Sequence, residues 1–204
     1  MSMEVKVLGI TESGDEKKLK STLGGQLYTI PQSLIWTAKG YGWQAMATAA
    51  VAALVVRPST VAMATLFNNS GNKNYVIDRA FAHNLVGAAN SVYGLWLCVH
   101  PVGMTAPTND ITVRNSNSGK SAGTEGIFDN GATVNDNGWF PWGKSGHTVT
   151  VTTPGEQLEA EIGGRIILPP TAAISLHVVA DVTGATFTPG FHWFAVPEAE
   201  LGVN

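Results

Sequence analysis

The sequence predicts an all-β protein, a jelly-roll β-sandwich of about eight antiparallel strands with an N-terminal arm and a long loop insertion. Short runs rich in β-branched and aromatic residues recur along the chain, and each ends at a cluster of Gly, Pro, Asn or Ser. A long amphipathic helix is not evident in the pattern. We therefore expect an arm at 1–58, the sandwich at 59–204 and the insertion at about 103–146.

The N-terminal arm begins with a weakly alternating stretch, followed by a polar and lysine-containing stretch at 11–21. Residues 23–42 are apolar but interrupted by Gly and Pro, and their spacing is too irregular to predict a helix. Because large apolar side chains gain free energy when they leave water, something must cover them. We expect residues 1–42 to contact neighbouring subunits, and the alternative is that they fold back over their own sheet.

Residues 44–56 permit two interpretations. The stretch is rich in Ala, which suits a helix, whereas Thr48, Val51 and Val55 favour a strand. Periodicity does not separate the two for a run this short. The Arg57-Pro58 pair then ends whichever element forms, because the residue before a proline avoids the helical conformation.

Three consecutive antiparallel strands are predicted between residues 61 and 99. An apolar run at 61–67 meets a turn cluster at 68–72, and a second strand follows. Its alternation predicts one core-facing side made of Tyr75, Ile77, Phe81 and Leu85. The third strand, at 92–99, is apolar on both sides, which fits a central strand or one covered by another subunit.

The remaining chain is a polar insertion and a second strand-rich part. Residues 103–146 are dominated by Gly, Asn, Ser, Thr and Asp and predict a loop. A hairpin follows, in which residues 165–168 stop at Pro169-Pro170 and an alternating run resumes at 174–178. The last strand is predicted at 191–196.

Composition excludes several function classes. The formal net charge of −3 argues against nucleic acid or an anionic membrane as partner. Charged residues make up 13% of the chain, against about 25% in typical proteins, and a weakly charged surface suits a protein buried in an assembly. The single cysteine, Cys98, lies in an apolar run and predicts a buried thiol in a chain made in a reducing compartment. A secretory signal is not evident, and the most apolar stretch is too short to span a bilayer.

Motifs for chemistry are incomplete. Gly119-Lys120-Ser121 resembles the end of a phosphate-binding loop, but Arg114 stands where that pattern needs a glycine. The five histidines are isolated from one another in sequence and form no metal-binding pair. We therefore expect no enzyme activity, no cofactor and no metal.

Aromatic residues outside the predicted core are the candidate interface. Indole rings anchor protein interfaces and also stack on sugars, so the cluster at 139–142 fits either a protein partner or a glycan. The candidate interface residues are Tyr28, Trp36, Tyr41, Trp43, Trp139, Phe140 and Trp142.

Three stretches carry a resemblance to a known class of protein. The sequences LFNNSGNKNYVIDRAF at 66–81, GRIILPPTAAISLHVV at 164–179 and TFTPGFHWFAVPE at 186–198 resemble the jelly-roll structural proteins of tailed-bacteriophage virions. The resemblance implies a non-enzymatic protein that decorates or cements a capsid or belongs to a fibre, is often trimeric, and binds the major capsid protein or other virion proteins.

The same resemblance implies synthesis in the host cytoplasm and localisation in the virion. The alternative function is a carbohydrate- or receptor-binding module of a phage tail or fibre. The two differ in an observable way, because interface aromatics are covered in the assembled particle whereas a sugar platform stays open.

Overall fold

The computed structural model describes residues 8–10, 16–18, 30–108, 111–119, 125–142, 146–148 and 157–201. Within these ranges the protein is mostly β, with two antiparallel sheets packed against each other. The predicted all-β sandwich is confirmed, and the jelly-roll assignment stays a prediction. The chain divides into two compact units, Met1–Ile35 and Trp36–Asn204.

The first unit contains a short antiparallel pair formed by β1 (Leu8–Ile10) and β2 (Glu16–Lys18). Helix α1 then runs over Gln32–Lys39, so the expectation that residues 23–42 contain no helix is wrong. The helix ends at Gly40, whose φ of +81° suits glycine. There the N–H of Tyr41 donates to the carbonyl of Trp36 over 2.9 Å, and Gly40 donates to Thr37. This C-terminal motif marks the end of a helix that the irregular spacing of apolar residues does not predict.

All neighbouring strands of the two sheets are antiparallel. The first sheet has the order β10 (Phe140–Pro141), β7 (Ser91–His100), β13 (Ala173–Ala180), β5 (Ala64–Phe67) and β9 (Ile127–Asn130), and β11 (Gly146–Thr148) also pairs with β7. The second sheet has the order β12 (Gln157–Leu168), β6 (Lys73–Val86), β14 (Thr186–Pro197), β3 (Gly42–Met46) and β8 (Arg114–Asn115), and β4 (Val51–Ala52) also pairs with β14. The predicted hairpins at 61–99 and 165–178 are therefore wrong, because each of their turns leads from a strand of one sheet to a strand of the other.

The sandwich begins earlier than the expected residue 59. Strand β3 pairs with β14 over five residues, and its alternation points Trp43 and Ala45 into the core between the sheets. Residues 44–56 therefore supply strands rather than a helix. The expected insertion at 103–146 is also partly strand, because it contains β8, β9 and β10, which pair at the edges of both sheets. The predicted boundaries are corrected accordingly.

A β-bulge in β6 changes which side chains face the core. Trp193 pairs with Ile77 whereas its neighbour His192 pairs with Arg79, so β6 has one extra residue between them. Beyond the bulge the inward side consists of Ala80 and Ala82, and both belong to the core cluster. Phe81 and Leu85, expected in the core, therefore alternate to the outer face. That part of the predicted register is wrong.

A short 3₁₀ helix at Glu198–Glu200 follows β14. Among the residues that the structure describes, the helices are all too short or too polar to cross a membrane.

Candidate functional site

The structure uses two of the predicted interface residues inside the protein itself. Trp43 is 8% exposed and belongs to the core between the sheets, and Trp139 is 4% exposed. Their burial therefore requires no partner. Tyr28 lies outside the described residues. The other four predicted interface residues are half-buried: Trp36, Tyr41, Phe140 and Trp142.

Trp36 and Tyr41 pack on one end of the second sheet. The Trp36 ring lies 5.3 Å from the ring of Phe194, which is on the outer face of β14. The Tyr41 hydroxyl donates to Glu200 over 2.9 Å, and Lys39 forms an ion pair with the same carboxylate. The hydrogen bond from Lys39, followed by that from Tyr41, lowers the pKa of Glu200. These aromatic residues fix the helix end to its own sheet.

Trp139 belongs to a segment, residues 132–139, that covers the outer face of the first sheet and is called the flap below. The indole N–H of Trp139 donates to the carbonyl of Ser59 over 2.8 Å. The Arg57 guanidinium bonds both carboxylate oxygens of Asp136 at 2.6 and 2.9 Å, and this contact lowers the pKa of Asp136 to about 2. Under the flap lies Cys98 of β7. The flap thus covers the second apolar side of β7 around Cys98, whereas Val92 on the same side is 46% exposed.

A chain of hydrogen bonds lies buried beneath the flap. The Thr65 hydroxyl is 2.8 Å from the Ser175 hydroxyl, which is 2.8 Å from Nε2 of His100. Nδ1 of His100 is 2.9 Å from Oδ1 of Asn137, a residue of the flap. Because an amide oxygen only accepts, Nδ1 carries the proton and Nε2 is free to accept one from Ser175. The four polar side chains satisfy one another.

This Ser–His–Asn arrangement has the hydrogen bonds of an activated nucleophile, but it is closed to substrate. Ser175 is 0% exposed and His100 is 2% exposed. Burial lowers the pKa of His100, so the imidazole is uncharged at neutral pH. A general base must be within reach of the proton that it removes from a bound substrate, and the flap fills that space. The network therefore stabilises the flap in this structure.

Sequence reasoning missed this network because its members come from four separate strands and loops. Neither His100 nor Ser175 belongs to a short motif, and the partner Asn137 lies in the stretch predicted as a loop. The single hint is that Ser175 and His177 interrupt an apolar strand on its outer side. Only the pairing of β13 with β5 and β7 brings the side chains together.

Phe140 and Trp142 form a half-exposed aromatic pair next to the flap. Their ring centroids are 5.6 Å apart, and the Arg165 guanidinium lies 5.1 Å from the Trp142 ring. The backbone N–H of Trp142 donates to the backbone carbonyl of Leu95 over 2.8 Å, and this bond fixes the aromatic pair next to β7. This pair, without Trp139, is the part of the predicted aromatic cluster that reaches the surface.

One end of the sandwich exposes a set of aliphatic side chains, called the aliphatic end below. They come from the loop after β4, the end of β6, the start of β7 and the β13–β14 loop, and each is at least 41% exposed. Its members are Val55, Val56, Leu85, Val86, Val92 and Val182.

Hydrogen bonds hold the loops of the aliphatic end together. The Asp181 carboxylate accepts from the Ser91 hydroxyl over 2.6 Å and from the Val92 N–H over 3.0 Å. Leu54 donates to the carbonyl of Val178 and accepts from the N–H of Ala180 at 3.0 and 2.7 Å. The exposed valines are therefore displayed by a fixed backbone.

Comparisons with protein-family models, curated proteins and solved structures found no match to this chain. Within the described ranges, His, Cys, Asp and Glu side chains form no group of three or more that is placed to hold a metal ion.

Proposed function

We propose that the protein is a non-enzymatic structural component of a tailed-phage virion, which binds the major capsid protein or other virion proteins and associates with copies of itself. The resemblance of residues 66–81, 164–179 and 186–198 to jelly-roll virion proteins supports this proposal. In the structure these three stretches lie in strands of the sandwich and in turns that lead from one sheet to the other. A rigid sandwich is a suitable scaffold for a protein that works through contacts with other proteins.

The aliphatic end is the observation that carries the proposal. Large exposed apolar side chains that are gathered in one region of a protein are a common feature of interaction surfaces. Here six aliphatic residues project from three loops tied together by hydrogen bonds. The loops are part of the folded sandwich, so a partner meets this surface without first ordering it.

The buried polar network supports the non-enzymatic part of the proposal. The Ser175 hydroxyl and the His100 imidazole are saturated by partners within the chain, and both are covered by the flap. The Cys98 thiol is also buried, and burial raises its pKa, so it is a poor nucleophile. These side chains contribute to stability rather than to chemistry.

Charge introduced at the aliphatic end tests self-association. We expect wild-type protein to have the mass of three 21.4 kDa chains by light scattering after size exclusion, and the double variant Val92→Lys, Val182→Lys to be monomeric. The matched control is Val102→Lys, because Val102 is 61% exposed but follows the opposite end of β7. A double variant with the same mass as an oligomeric wild type would show that another surface makes the contact.

The virion role has a separate test. Gold-labelled antibody against the protein should decorate intact particles of the phage that encodes it, and the protein should be present in purified particles by mass spectrometry. Particles that contain none of this chain would refute the proposal, whatever its oligomeric state.

The alternative function, a carbohydrate- or receptor-binding module of a phage tail or fibre, is favoured by the half-exposed pair Phe140 and Trp142. An aromatic ring flanked by the Arg165 guanidinium can stack on a sugar ring. In that case Trp142→Ala should abolish binding to a glycan array while leaving the mass of the oligomer unchanged.

A further inference from the structure

A cleft of about 510 Å³ opens on the outer face of the second sheet. This volume is within the range of sites for small organic ligands, about 300–1,000 Å³. The walls come from β3, β6, β14 and the segment that leads into β8. Its lining residues include Gln44, Met46, Phe81, Thr112, Arg114 and His192.

Strand register places three polar side chains in one row. Gln44 of β3 pairs with Arg114 of β8 on one side and with His192 of β14 on the other. Directly paired residues of antiparallel strands point to the same face, with Cβ atoms about 4.5–5.5 Å apart. An amide, a guanidinium and an imidazole thus line up across the mouth of the cleft.

The next row of paired residues forms the apolar floor of the cleft. Gly190 of β14 pairs with Met46 on one side and with Phe81 on the other. Because Gly190 has no side chain, the Phe81 ring lies over its backbone, and a Cβ at that position would be 2.3 Å from Cζ of Phe81. The Phe81 ring occupies the space that a side chain on Gly190 would fill, and Phe81 and Met46 form the apolar floor of the cleft.

The cleft carries one uncompensated positive charge. Arg114 is exposed and has no ion-pair partner among the described residues, whereas Arg79 farther along the row pairs with Glu159 at 2.9 Å. The described lining residues include no carboxylate. Burial, followed by the nearby Arg79 charge, lowers the pKa of His192, so its imidazole is neutral at pH 7 and both donates and accepts hydrogen bonds.

We propose that this cleft binds a carboxylated sugar, about one uronic acid residue in size. A carboxylate fits the planar fork of Arg114 in a bidentate contact, which is stronger than a neutral hydrogen bond. Sugar hydroxyls suit the mixed donors and acceptors of Gln44, Thr112 and His192. The C–H face of the sugar suits Met46, which is 50% exposed, with the mostly buried Phe81 ring, 8% exposed, across Gly190 from it.

An acidic peptide fits these observations less well. Extended peptides bind mainly by main-chain hydrogen bonds along a free sheet edge, whereas this cleft lies on the side-chain face of the sheet. A sugar needs many hydrogen-bonding side chains close to one apolar surface, and that is the composition of the lining. The site does not depend on the proposed virion role.

The test uses full-length protein, D-glucuronate as the probe and D-glucose as its neutral match, in buffer at about 0.15 M salt, at which long-range charge effects are screened. Binding is followed by saturation-transfer NMR and by chemical-shift titration. We expect glucuronate to bind and Arg114→Gln to weaken it about tenfold or more, since a hydrogen-bonded charge is lost. The matched variant Lys39→Gln removes a positive charge outside the cleft and should bind as wild type does.

Gln44→Ala separates a sugar site from a simple anion site. Gln44 is exposed, so its loss should not affect folding, and melting curves of each variant check this. We expect Gln44→Ala to weaken glucuronate binding without changing the weaker response to acetate. Equal binding of glucose and glucuronate, loss of binding in Lys39→Gln instead of Arg114→Gln, or preference for N-acetylglutamate amide over glucuronate would each overturn the proposal.

Discussion

Replacement of Gly190 by alanine is the sharpest test of the bulged register in β6. The added Cβ would be 2.3 Å from Cζ of Phe81 and 2.6 Å from the carbonyl oxygen of Ala45. The first contact involves a side chain that can rotate, but the second involves the backbone of β3, which is held in the sheet by its pairing with β14. The substitution therefore forces two strands apart.

The expected cost follows from these contacts. Overpacking of a close-packed site costs about 1–3 kcal/mol, and the backbone clash places Gly190→Ala at about 2–3 kcal/mol. For a protein of this size, 1 kcal/mol changes the melting temperature by about 2–4 °C, so we expect a decrease of about 4–12 °C. Calorimetry or thermal circular dichroism measures it.

Two further variants show whether a lower melting temperature of Gly190→Ala comes from these contacts. Gly71→Ala is the matched control, because an added Cβ meets no atom within 4 Å there, and its melting temperature should change by no more than about 1–2 °C. Phe81→Ala should relieve one of the two clashes, so the double variant should be more stable than the sum of the single changes predicts. A Gly190→Ala protein that melts at the wild-type temperature would refute both the register and the placement of Phe81 over Gly190.

Three other predictions concern the flap and the network under it. Arg57 holds the pKa of Asp136 at about 2, below its ordinary 3.8. The stability that this contact contributes is therefore present above pH 3.8 and is lost as the pH falls toward 2. We expect Asp136→Asn to lower the urea midpoint of unfolding at pH 7 but not at pH 2. Ser175→Ala leaves His100 without one hydrogen-bond partner and should cost about 1–3 kcal/mol in urea unfolding, and an unchanged midpoint would remove the network from the stabilising contacts. Cys98 should react with Ellman's reagent at pH 8 only after denaturant is added, and rapid reaction of the folded protein would mean that the flap opens readily.

Local sequence was sufficient to predict strands wherever an apolar run ended in a turn cluster. The Asn68 to Asn72 cluster predicted the turn between β5 and β6, and Pro169-Pro170 predicted the turn between β12 and β13, but both turns lead to the other sheet and form no hairpin. These signals are chemical properties of single residues, since Asn and Gly permit turn conformations and Pro removes a backbone donor. They do not depend on what packs nearby.

Register beyond the bulge was decided by the tertiary structure. Alternation alone placed Phe81 in the core, because a single extra residue between Ile77 and Arg79 leaves no mark in the sequence. The bulge is a property of the pairing of β6 with β14, and that pairing is a relation between distant parts of the chain. The same long-range relation brings Gln44, Arg114 and His192 into one row.

The covering of apolar surface likewise required the fold. The sequence showed that β7 is apolar on both sides and that Trp139 is a large aromatic residue, but it left open whether the chain or a partner covers them. In the structure the flap covers β7 around Cys98, and the flap's own Trp139 is buried there. The position of the flap is fixed by the Arg57 to Asp136 contact and by the hydrogen bond from Trp139 to Ser59. What sequence alone determined is the position of the turns at 68–72 and 169–170, because turn residues act locally. Which faces are buried was decided only by the tertiary structure, because burial depends on segments far apart in the chain.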